Sequence, residues 1–411
     1  MNWLTNAAHT RWLEAEADSL LAFASGALTD EGFGYLDGEG QPVVAEGSHL
    51  WITCRMIHSF ALGALLGRPG SATMVDHGVR ALAEHFHDSE HGGWYAQVGP
   101  DGPIDTTKAA YAHAFVILAA SSAAAAGRPG GKELLAEALT VSLERFWRDE
   151  EGMVVESYDA GFTRLEEYRG VNANMHTVEA YLAAADVTGD DAWLERATRI
   201  TKRVVDDFAR NNDWRIPEHF DADWKPLPDY NMDHPADPFR PAGATIGHWF
   251  EWSRLTLHVR AAWQLRGVSP EDWMLDGAQA LFDLAVTEGW DVDGADGFVY
   301  TVDFTGKPLV TERMHWVVTE ALGAAAALYR VSEDPNLPAW YQLWWEYAAV
   351  HLIDEEGGSW IHELDSDNEP SATVWNGKPD IYHAIQATLI PRLPLTPPIA
   401  PALAQGLLDR I

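Results

Sequence analysis

The sequence contains little cysteine and little positive charge. Cys54 is the single cysteine among 411 residues, which excludes an internal disulfide and a zinc site built from several cysteines. Only 28 lysines and arginines face 62 aspartates and glutamates, which gives a formal charge of −34 at pH 7. A chain this acidic repels phosphate-rich partners. We therefore expect no nucleic-acid partner and no binding to a membrane surface.

Signals for export, membrane insertion and nucleotide binding are also missing. Residues 1–5 contain no basic segment followed by an apolar run, so we predict no signal peptide and a cytoplasmic protein. The most apolar stretch, residues 109–127, is rich in alanine and serine and contains His113, which favours a buried helix over a membrane span. The chain has no phosphate-binding loop, glycine-rich dinucleotide motif, His-Glu-x-x-His motif or nucleophile elbow. A nucleotide cofactor therefore has no evident binding site.

The sequence is rich in hydrophobic and aromatic residues, and they recur at intervals. Hydrophobic residues make up 47% of the chain, which excludes extensive disorder, and 19 of the 411 residues are tryptophan. Six short segments mix aromatic and polar residues and then reach an aspartate, as a strand entering a turn does. These segments begin at Gly32, Gly93, Gly152, Asp213, Gly297 and Gly358. Their starts are 61, 59, 61, 84 and 61 residues apart, and the long interval contains an insert at 226–241.

Helix-like segments fill the intervals between these strands. One set covers 50–66, 109–126, 175–187, 246–265, 316–331 and 381–390. The other set covers 6–27, 72–86, 132–147, 192–208, 270–286 and 337–351. Twelve helices in six hairpins, with short strands on one side, predict an all-α (α/α)6 barrel that spans residues 1–411 as one domain. An inner ring of six helices would be wrapped by an outer ring of six.

Polar residues recur at one height of the predicted inner helices. The spacing from the turn aspartate is 17 or 18 residues in four repeats and leads to Arg55, His176, Glu320 and His383. The repeat with the insert places His248 and Glu251 early in its helix, the second repeat offers Tyr111 or His113, and Asn172 lies four residues before His176. A polar residue inside an apolar ring is costly unless it is paired or used. We therefore expect these side chains to meet in one central pocket.

Tryptophans accompany these polar residues. Trp51 and Trp316 lie one helical turn before Arg55 and Glu320, so each shares a face with its polar neighbour. Indole rings beside charged groups suit a sugar, whose hydroxyls bind polar partners while its C–H faces pack on the rings. By their position in the repeats, further tryptophans are expected at the mouth or beside the polar cluster, namely Trp94, Trp214, Trp249, Trp252 and Trp360.

Some of these positions allow two interpretations. Glu251 lies three residues after His248 and could orient that imidazole, or the two could form a local pair on the helix surface. Glu320 could be a buried ion-pair partner of Arg55 instead of a substrate contact. A lone histidine on an apolar helix is more often structural than functional, and only the equivalent placement of His176, His248 and His383 favours function.

Several of these motifs together resemble the N-acylglucosamine 2-epimerase superfamily. They are Asn172-x-x-x-His176, Gly247-His248-Trp249-Phe250-Glu251-Trp252, Trp316-x-x-x-Glu320 and Tyr382-His383. The resemblance covers nearly the whole chain and looks strongest to the aldose–ketose isomerase branch, which includes D-mannose and sulfoquinovose isomerases. It implies an (α/α)6 barrel that acts on a free monosaccharide without cofactor or metal.

The resemblance also implies roles for individual residues. His248 and His383 would be the acid/base pair, with His176 and Glu251 as further catalytic residues. The substrate-binding residues would be Arg55, Tyr111, Asn172, Trp316, Glu320, Arg240 and Trp51. The insert at 226–241, which ends near Arg240, would be a loop over the pocket.

The implied reaction moves a proton between C2 and C1 of an aldose through a cis-enediol. The resemblance favours D-mannose as the substrate and D-fructose as the product. His383 would transfer the carbon-bound proton, His248 would serve ring opening and the oxygens, and Arg55 would stabilise the enediolate. A sugar 2-epimerase or a sulfoquinovose isomerase would need only small changes in substrate placement. A glycoside hydrolase that uses Glu251 and Glu320, or a sugar-binding protein without catalysis, is less favoured. The oligomeric state stays open.

Overall fold

The helices of the chain lie in two concentric rings. A computed structural model of the chain describes residues 2–332 and 334–410. Its helices are α1 (Ala7–Ala24), α2 (Leu50–Leu65), α3 (Ser71–Ala81), α4 (Ala110–Ala125), α5 (Gly131–Val141), α6 (Val171–Thr188), α7 (Ala192–Thr201), α8 (Ile246–Leu265), α9 (Trp273–Gly289), α10 (His315–Ser332), α11 (Leu337–Tyr347), α12 (Tyr382–Leu389) and α13 (Ile399–Ala404). The inner ring consists of the even-numbered helices α2 to α12. The outer ring consists of the odd-numbered helices α1 to α11. This arrangement confirms the predicted (α/α)6 barrel.

Burial separates the two rings. Every residue of α2 from Leu50 to Gly63 is buried, and α4 is buried at all but two of its residues. In α7, by contrast, Trp193, Leu194 and Ala197 are buried while charged residues cover the other face. A helix that contacts protein on all sides tolerates hydrophobic and small residues all round, whereas an outer helix needs one polar face.

The inner helices close into a complete circle. Each even-numbered helix packs on the next, from α2 through α4, α6, α8 and α10 to α12, and α12 packs back on α2. The outer helix α1 packs on α12 and α2. The short helix α13 lies against α2, α4 and α6.

Short antiparallel strands cap one end of the barrel. They are β1 (Leu28–Thr29), β2 (Gly32–Phe33), β3 (Ser48–His49), β4 (Gln97–Gly99), β5 (Gly102–Asp105), β6 (Lys108–Ala109), β7 (Trp147–Arg148), β8 (Met153–Val154), β9 (Ser157–Tyr158), β10 (Arg169–Gly170), β11 (His219–Phe220), β12 (Ala244–Thr245), β13 (Thr301–Val302), β14 (Pro308–Val310), β15 (Arg313–Met314) and β16 (Glu363–Leu364). Strands β3, β6, β10, β12 and β15 run directly into inner helices and pair with the strand segment of the following repeat. The N-terminal ends of the inner helices therefore point to this strand-covered end.

The recurring aspartates of the sequence close the turns between these strands. The Asp37 carboxylate accepts hydrogen bonds from the backbone N–H groups of Glu39 and Gln41, both at 2.9 Å. Asp303 and Asp365 make the same pair of bonds to the residues two and four positions onward. An aspartate that folds the backbone in this way favours a turn. Asp221 makes the same pair of bonds, so four of the six turns use the same side chain in the same way, which made the period visible in the sequence.

Buried cations fix three of the inner helices to the preceding turn. The Lys108 ammonium donates to Asp88 at 2.6 Å, and Lys378 donates to Asp354 at 2.6 Å. Arg313 binds the Asp293 carboxylate with both terminal nitrogens. Lys108 is fully buried. Because an unpaired charge in such a place is costly, each pair holds a mouth loop in register with the helix that follows.

Helix boundaries differ from the prediction at one functional position. Helix α6 begins at Val171, four residues earlier than predicted, so Asn172 lies inside the helix that carries His176. The insert runs as turns between β11 and β12. Within the described residues no helix is both long and apolar enough to span a membrane.

Candidate active site

A cavity lies where the N-terminal ends of the inner helices converge. All six inner helices contribute to it, together with the insert and the loops before α10 and α12. Its walls are formed by Trp51, Arg55, Tyr111, Asn172, His176, Pro238, Phe239, Pro241, His248, Glu251, Tyr300, His315, Trp316, His362, Trp375, Pro379, Asp380 and His383. A concave site that combines aromatic rings with a few convergent polar groups is typical of small-molecule binding.

Two histidines of this cavity are each held by a buried glutamate. His248 Nδ1 lies 3.0 Å from Glu218 Oε2, and His383 Nδ1 lies 3.1 Å from Glu320 Oε1. A carboxylate can only accept, so each Nδ1 carries a proton and each Nε2 keeps a free lone pair. Both imidazoles are thereby oriented as potential proton acceptors. The expectation that Glu251 orients His248 is wrong, because Glu218 does so.

The Trp316 indole packs against both of these imidazoles. Its ring centre lies 5.3 Å from that of His248 and 5.7 Å from that of His383. Gly247 makes this contact possible, because a Cβ atom at that position would lie 2.2 Å from the indole Cζ3. The glycine before His248 therefore has a packing role, and Trp316 fixes the relative position of the two histidines.

Glu320 lies behind His383 and does not line the cavity. Its second oxygen accepts hydrogen bonds from Arg254 Nε at 3.0 Å and Nη2 at 2.8 Å. Arg254 also lies 3.5 Å from Glu251 Oε1. The expectations that Glu320 contacts the substrate or pairs with Arg55 are therefore wrong, since its partners are Arg254 and His383.

Arg55 is buried and held from several sides. It donates to Asp380 Oδ2 at 3.1 Å and to the Tyr111 hydroxyl at 3.1 Å. Its guanidinium carbon lies 4.6 Å from the Phe115 ring centre and 4.7 Å from that of Tyr382. Although burial alone would lower it, these anionic and hydroxyl neighbours raise the pKa of Arg55 above its usual value. The site therefore contains a permanent, rigidly placed positive charge.

One cluster of the described residues has the spacing of metal ligands. Atoms of His176, Glu179 and Glu251 all lie within 4.8 Å of one another. Glu179 also accepts a hydrogen bond from the Tyr382 hydroxyl, and Arg254 lies beside Glu251. Burial and the neighbouring Glu320 raise the pKa of Glu251 well above its usual value, despite Arg254. Arg254 thus already supplies positive charge to these carboxylates.

Burial keeps His176 and His383 neutral. It lowers the pKa of His176 to about 4 and that of His383 well below its usual value, with Arg55 adding to both effects. His176 Nδ1 lies 3.9 Å from both Glu179 and Glu251, too far for a hydrogen bond. Neutral imidazoles can accept a proton at physiological pH, which a general base requires.

Arg240 does not lie where the sequence predicted. It binds Glu166 with both terminal nitrogens, at 2.7 and 3.0 Å, and stacks 4.0 Å above the Tyr168 ring. The guanidinium thus anchors the insert to the loop before β10, and the contact of Arg240 with a substrate stays a prediction. The preceding residue, Phe239, reaches the cavity and packs edge-on against Trp51.

The tryptophan expectation is correct only in part. Trp51 and Trp316 line the cavity, whereas the indoles expected at the mouth or beside the polar cluster do not. Trp94, Trp249, Trp252 and Trp360 are fully buried in the packing between elements, while Trp214 is half-buried. A regular position along the repeat predicts which residues are equivalent, but a one-residue change rotates a side chain to another face.

Sequence reasoning missed several wall residues and Glu218, the partner that orients His248. They include Glu218, Tyr300, His315, His362, Trp375, Asp380 and Phe239, together with Arg254 behind the wall. Arg254 had a signal, since it follows Glu251 by three residues on one helix. Glu218 lies in the strand segment of the fourth repeat, and the residues of such segments were used only to establish the period.

The family model of N-acylglucosamine 2-epimerase (GlcNAc 2-epimerase) matches residues 32–387, which is most of the chain. The chain belongs to the N-acylglucosamine 2-epimerase family. This membership confirms the resemblance carried by the Asn172, His248, Trp316 and His383 motifs.

Within this family, the chain is similar to proteins named D-mannose isomerase. The protein of that name from Thermobifida fusca is 51% identical over 405 residues, covering 98% of both chains. The one from Pseudomonas cannabina pv. alisalensis is 50% identical and covers 98% of this chain and 97% of its own. A crystal structure of D-mannose isomerase superposes with a TM-score of 0.86 at 30% identity, covering 92% of this chain and 96% of the other.

Proposed function

We propose that the chain is an aldose–ketose isomerase that converts D-mannose to D-fructose without a metal or cofactor. The observation that carries this proposal is the pair of glutamate-anchored imidazoles, His248 and His383, which both pack against the Trp316 indole. The sequence identity of 51% and 50% to two D-mannose isomerases, over 98% of this chain, supports D-mannose as the substrate. The cytoplasmic location expected from the sequence belongs to the same proposal.

In this mechanism His383 moves the carbon-bound proton. Its Nε2 lone pair takes the proton from C2 of the open-chain aldose, and the resulting imidazolium is stabilised through Nδ1–H by Glu320. Because burial and Arg55 lower the pKa of His383, the protonated ring returns the proton readily, now to C1. The Arg254–Glu320 contact holds the carboxylate, and so the imidazole, in one orientation.

His248 and Arg55 act on the oxygen atoms of the sugar. His248, held by Glu218, exchanges protons with the ring oxygen during opening and with O1 and O2 as the enediol forms. Arg55 stabilises negative charge on those oxygens, since its position is fixed by Asp380 and three aromatic rings before the substrate arrives. His176 and Asn172 bind the sugar near O1.

The charge pattern favours a neutral sugar over a sulfonated one. Arg55 is the arginine in the cavity wall formed by the described residues, and Asp380 already balances its charge. Arg240 is likewise occupied by Glu166. A sulfonate would need a further basic partner. A hydrolytic pair of Glu251 and Glu320 is also disfavoured, because Glu320 lies behind His383 and both carboxylates share Arg254.

The test is to incubate the protein with D-mannose in the presence of EDTA and to follow the products by NMR. D-fructose is the expected product. D-glucose as the product would instead indicate 2-epimerisation, and an unchanged sugar would contradict both reactions.

Variants then test the assigned base. His383→Ala should lower kcat at least about 100-fold, as removal of a general base does. His87→Ala, which removes a partly exposed histidine paired with Glu137 outside the cavity, is the matched control and should keep the native rate. A fully active His383→Ala protein would overturn the mechanism.

A further inference from the structure

Two cavity histidines have no role in the mechanism above. His315 and His362 stack with ring centres 3.8 Å apart and planes inclined by 25°. Strand pairing brings them together, because Met314 on β15 lies opposite Glu363 on β16, which places the two histidines next to this pair. Both rings are buried in protein on one side and line the cavity on the other.

The hydrogen bonds of the two rings define which nitrogens carry protons. His315 Nδ1 lies 3.3 Å from the carbonyl oxygen of His362, and His362 Nε2 lies 3.2 Å from the carbonyl oxygen of Asp380. A carbonyl oxygen can only accept, so His315 is protonated at Nδ1 and His362 at Nε2. The remaining nitrogens, His315 Nε2 and His362 Nδ1, are acceptors.

These two acceptors stay neutral and have no protein partner among the described residues. Burial lowers the pKa of His315 to about 4 and that of His362 well below its usual value, so neither ring is charged near neutrality. Arg55 and the Asn172 amide in the same wall can donate hydrogen bonds, whereas these two nitrogens can only accept them. A ligand in this cavity therefore meets two adjacent sites that accept hydrogen bonds and cannot donate them.

The position of the pair relates it to the reacting carbons. The His315 ring centre lies 6.2 Å from that of His383, and Asp380, which anchors His362, is the ion-pair partner of Arg55. The stacked rings thus border the part of the cavity next to the catalytic base. A sugar whose C1 and C2 face His383 would extend its other carbons along this wall.

We propose that His315 and His362 form a two-acceptor subsite that binds neighbouring sugar hydroxyls beyond C2 as hydrogen-bond donors. This proposal rests on the proposed isomerase function and adds a determinant of sugar specificity. It predicts that the enzyme discriminates aldoses by the presence of a donor at these carbons. A sugar of the same size that lacks this donor should be a poorer substrate.

The experiment compares D-mannose with its 3-deoxy, 4-deoxy and 6-deoxy analogues and with the corresponding deoxyfluoro sugars. The native enzyme should lose roughly threefold to tenfold in kcat/KM for each missing hydroxyl that the subsite binds. Fluorine cannot donate, so the fluoro sugar should be as poor a substrate as the deoxy sugar. A fluoro sugar that performs like D-mannose would overturn the proposal.

Variants of the two histidines show which ring binds the missing hydroxyl. His315→Phe and His362→Phe keep a stacked ring without the acceptor, so the loss caused by one deoxy analogue should disappear in one of them. His362→Gln can still donate to the Asp380 carbonyl and accept from the sugar, and should keep the native discrimination if a Phe variant fails to fold. His9→Phe, a stacked histidine outside the cavity, is the control and should change nothing.

The outcomes separate this inference from the proposed function. If the native protein forms no D-fructose from D-mannose, the isomerase function fails. If D-mannose is converted normally but the deoxy losses are equal in the native enzyme and all variants, the subsite is wrong and the function stands.

Discussion

Gly247 offers a direct test of how the two site histidines are positioned. In Gly247→Ala the new Cβ would lie 2.2 Å from Trp316 Cζ3, whereas ordinary contact begins at 3.4 Å. The indole must therefore retreat by about 1.2 Å, a displacement worked from the overlap with ordinary contact distance. Because Trp316 packs on both His248 and His383, this movement disturbs both rings together.

The expected result is a large kinetic effect with a moderate loss of stability. Misplacement of reacting groups by about 1 Å can cost about 100-fold in rate, so kcat for D-mannose should fall by roughly this factor. Overpacking should lower the free energy of unfolding by about 1–3 kcal/mol. Rates of D-fructose formation measure kcat, urea unfolding measures the free energy of unfolding, and near-UV circular dichroism reports the displacement of the indole.

A matched variant separates positioning from general overpacking. In Gly277→Ala, on the outer helix α9, the new Cβ would lie 2.6 Å from Val205 Cγ1, so stability should fall while kcat stays native. Adding Trp316→Phe to Gly247→Ala should restore stability, since the smaller ring relieves the overlap. A Gly247→Ala enzyme with native kcat and an unchanged spectrum would refute the idea that the indole holds the histidines.

Three further predictions follow from the buried polar groups. Glu218→Gln should lower kcat by at least about 100-fold, because the new amide can donate to Nδ1 of His248 and so favour the tautomer that has lost its Nε2 lone pair; a native rate would contradict this role. Lys108→Met should lower the free energy of unfolding by about 3–5 kcal/mol, measured in urea with kcat unchanged, since the buried Asp88 loses its cation; unaltered stability would show that the ion pair is dispensable. The free energy of unfolding should also fall as the pH drops from 6.5 toward 4. Several buried imidazoles have a pKa of about 4 in the folded protein, whereas in the unfolded chain they bind protons from about pH 6.5 downward, so acid favours the unfolded chain. Each is linked to about 3 kcal/mol, and thermal unfolding at stepped pH would reveal a flat profile if this is wrong. The histidines concerned are His58, His113, His176 and His315.

Local repetition made the barrel predictable from the sequence. The turn aspartates bond their own backbone, and the inner helices are rich in hydrophobic and small residues around their whole circumference, so both features can be read from residues close together in the sequence. The same repetition located His176, His248 and His383 at one height of the ring. The helix start at Val171 was less accessible, because a β-strand residue leads into it without a capping side chain.

Partnerships between distant segments could not be predicted in this way. Arg55 was matched with Glu320 on the basis of charge, yet it binds Asp380, which lies 325 residues away in the sequence. The partner of His248 was sought on its own helix and is Glu218 on a preceding loop. Which carboxylate reaches which cation depends on how neighbouring hairpins rotate in the ring, and the spacing along one helix contains no such information.

The ring has one seam, where an early helix of the chain meets a late one. Helix α1 packs on α12, and the Trp360 indole N–H donates to Glu16 at 2.8 Å across the same region. Because α12 carries His383, a polypeptide emerging from the ribosome has no complete cavity until this last arc is made. Until α12 has been synthesised, the other five inner helices can therefore form only an open arc, and the faces of α2 and α10 that α12 will cover stay exposed.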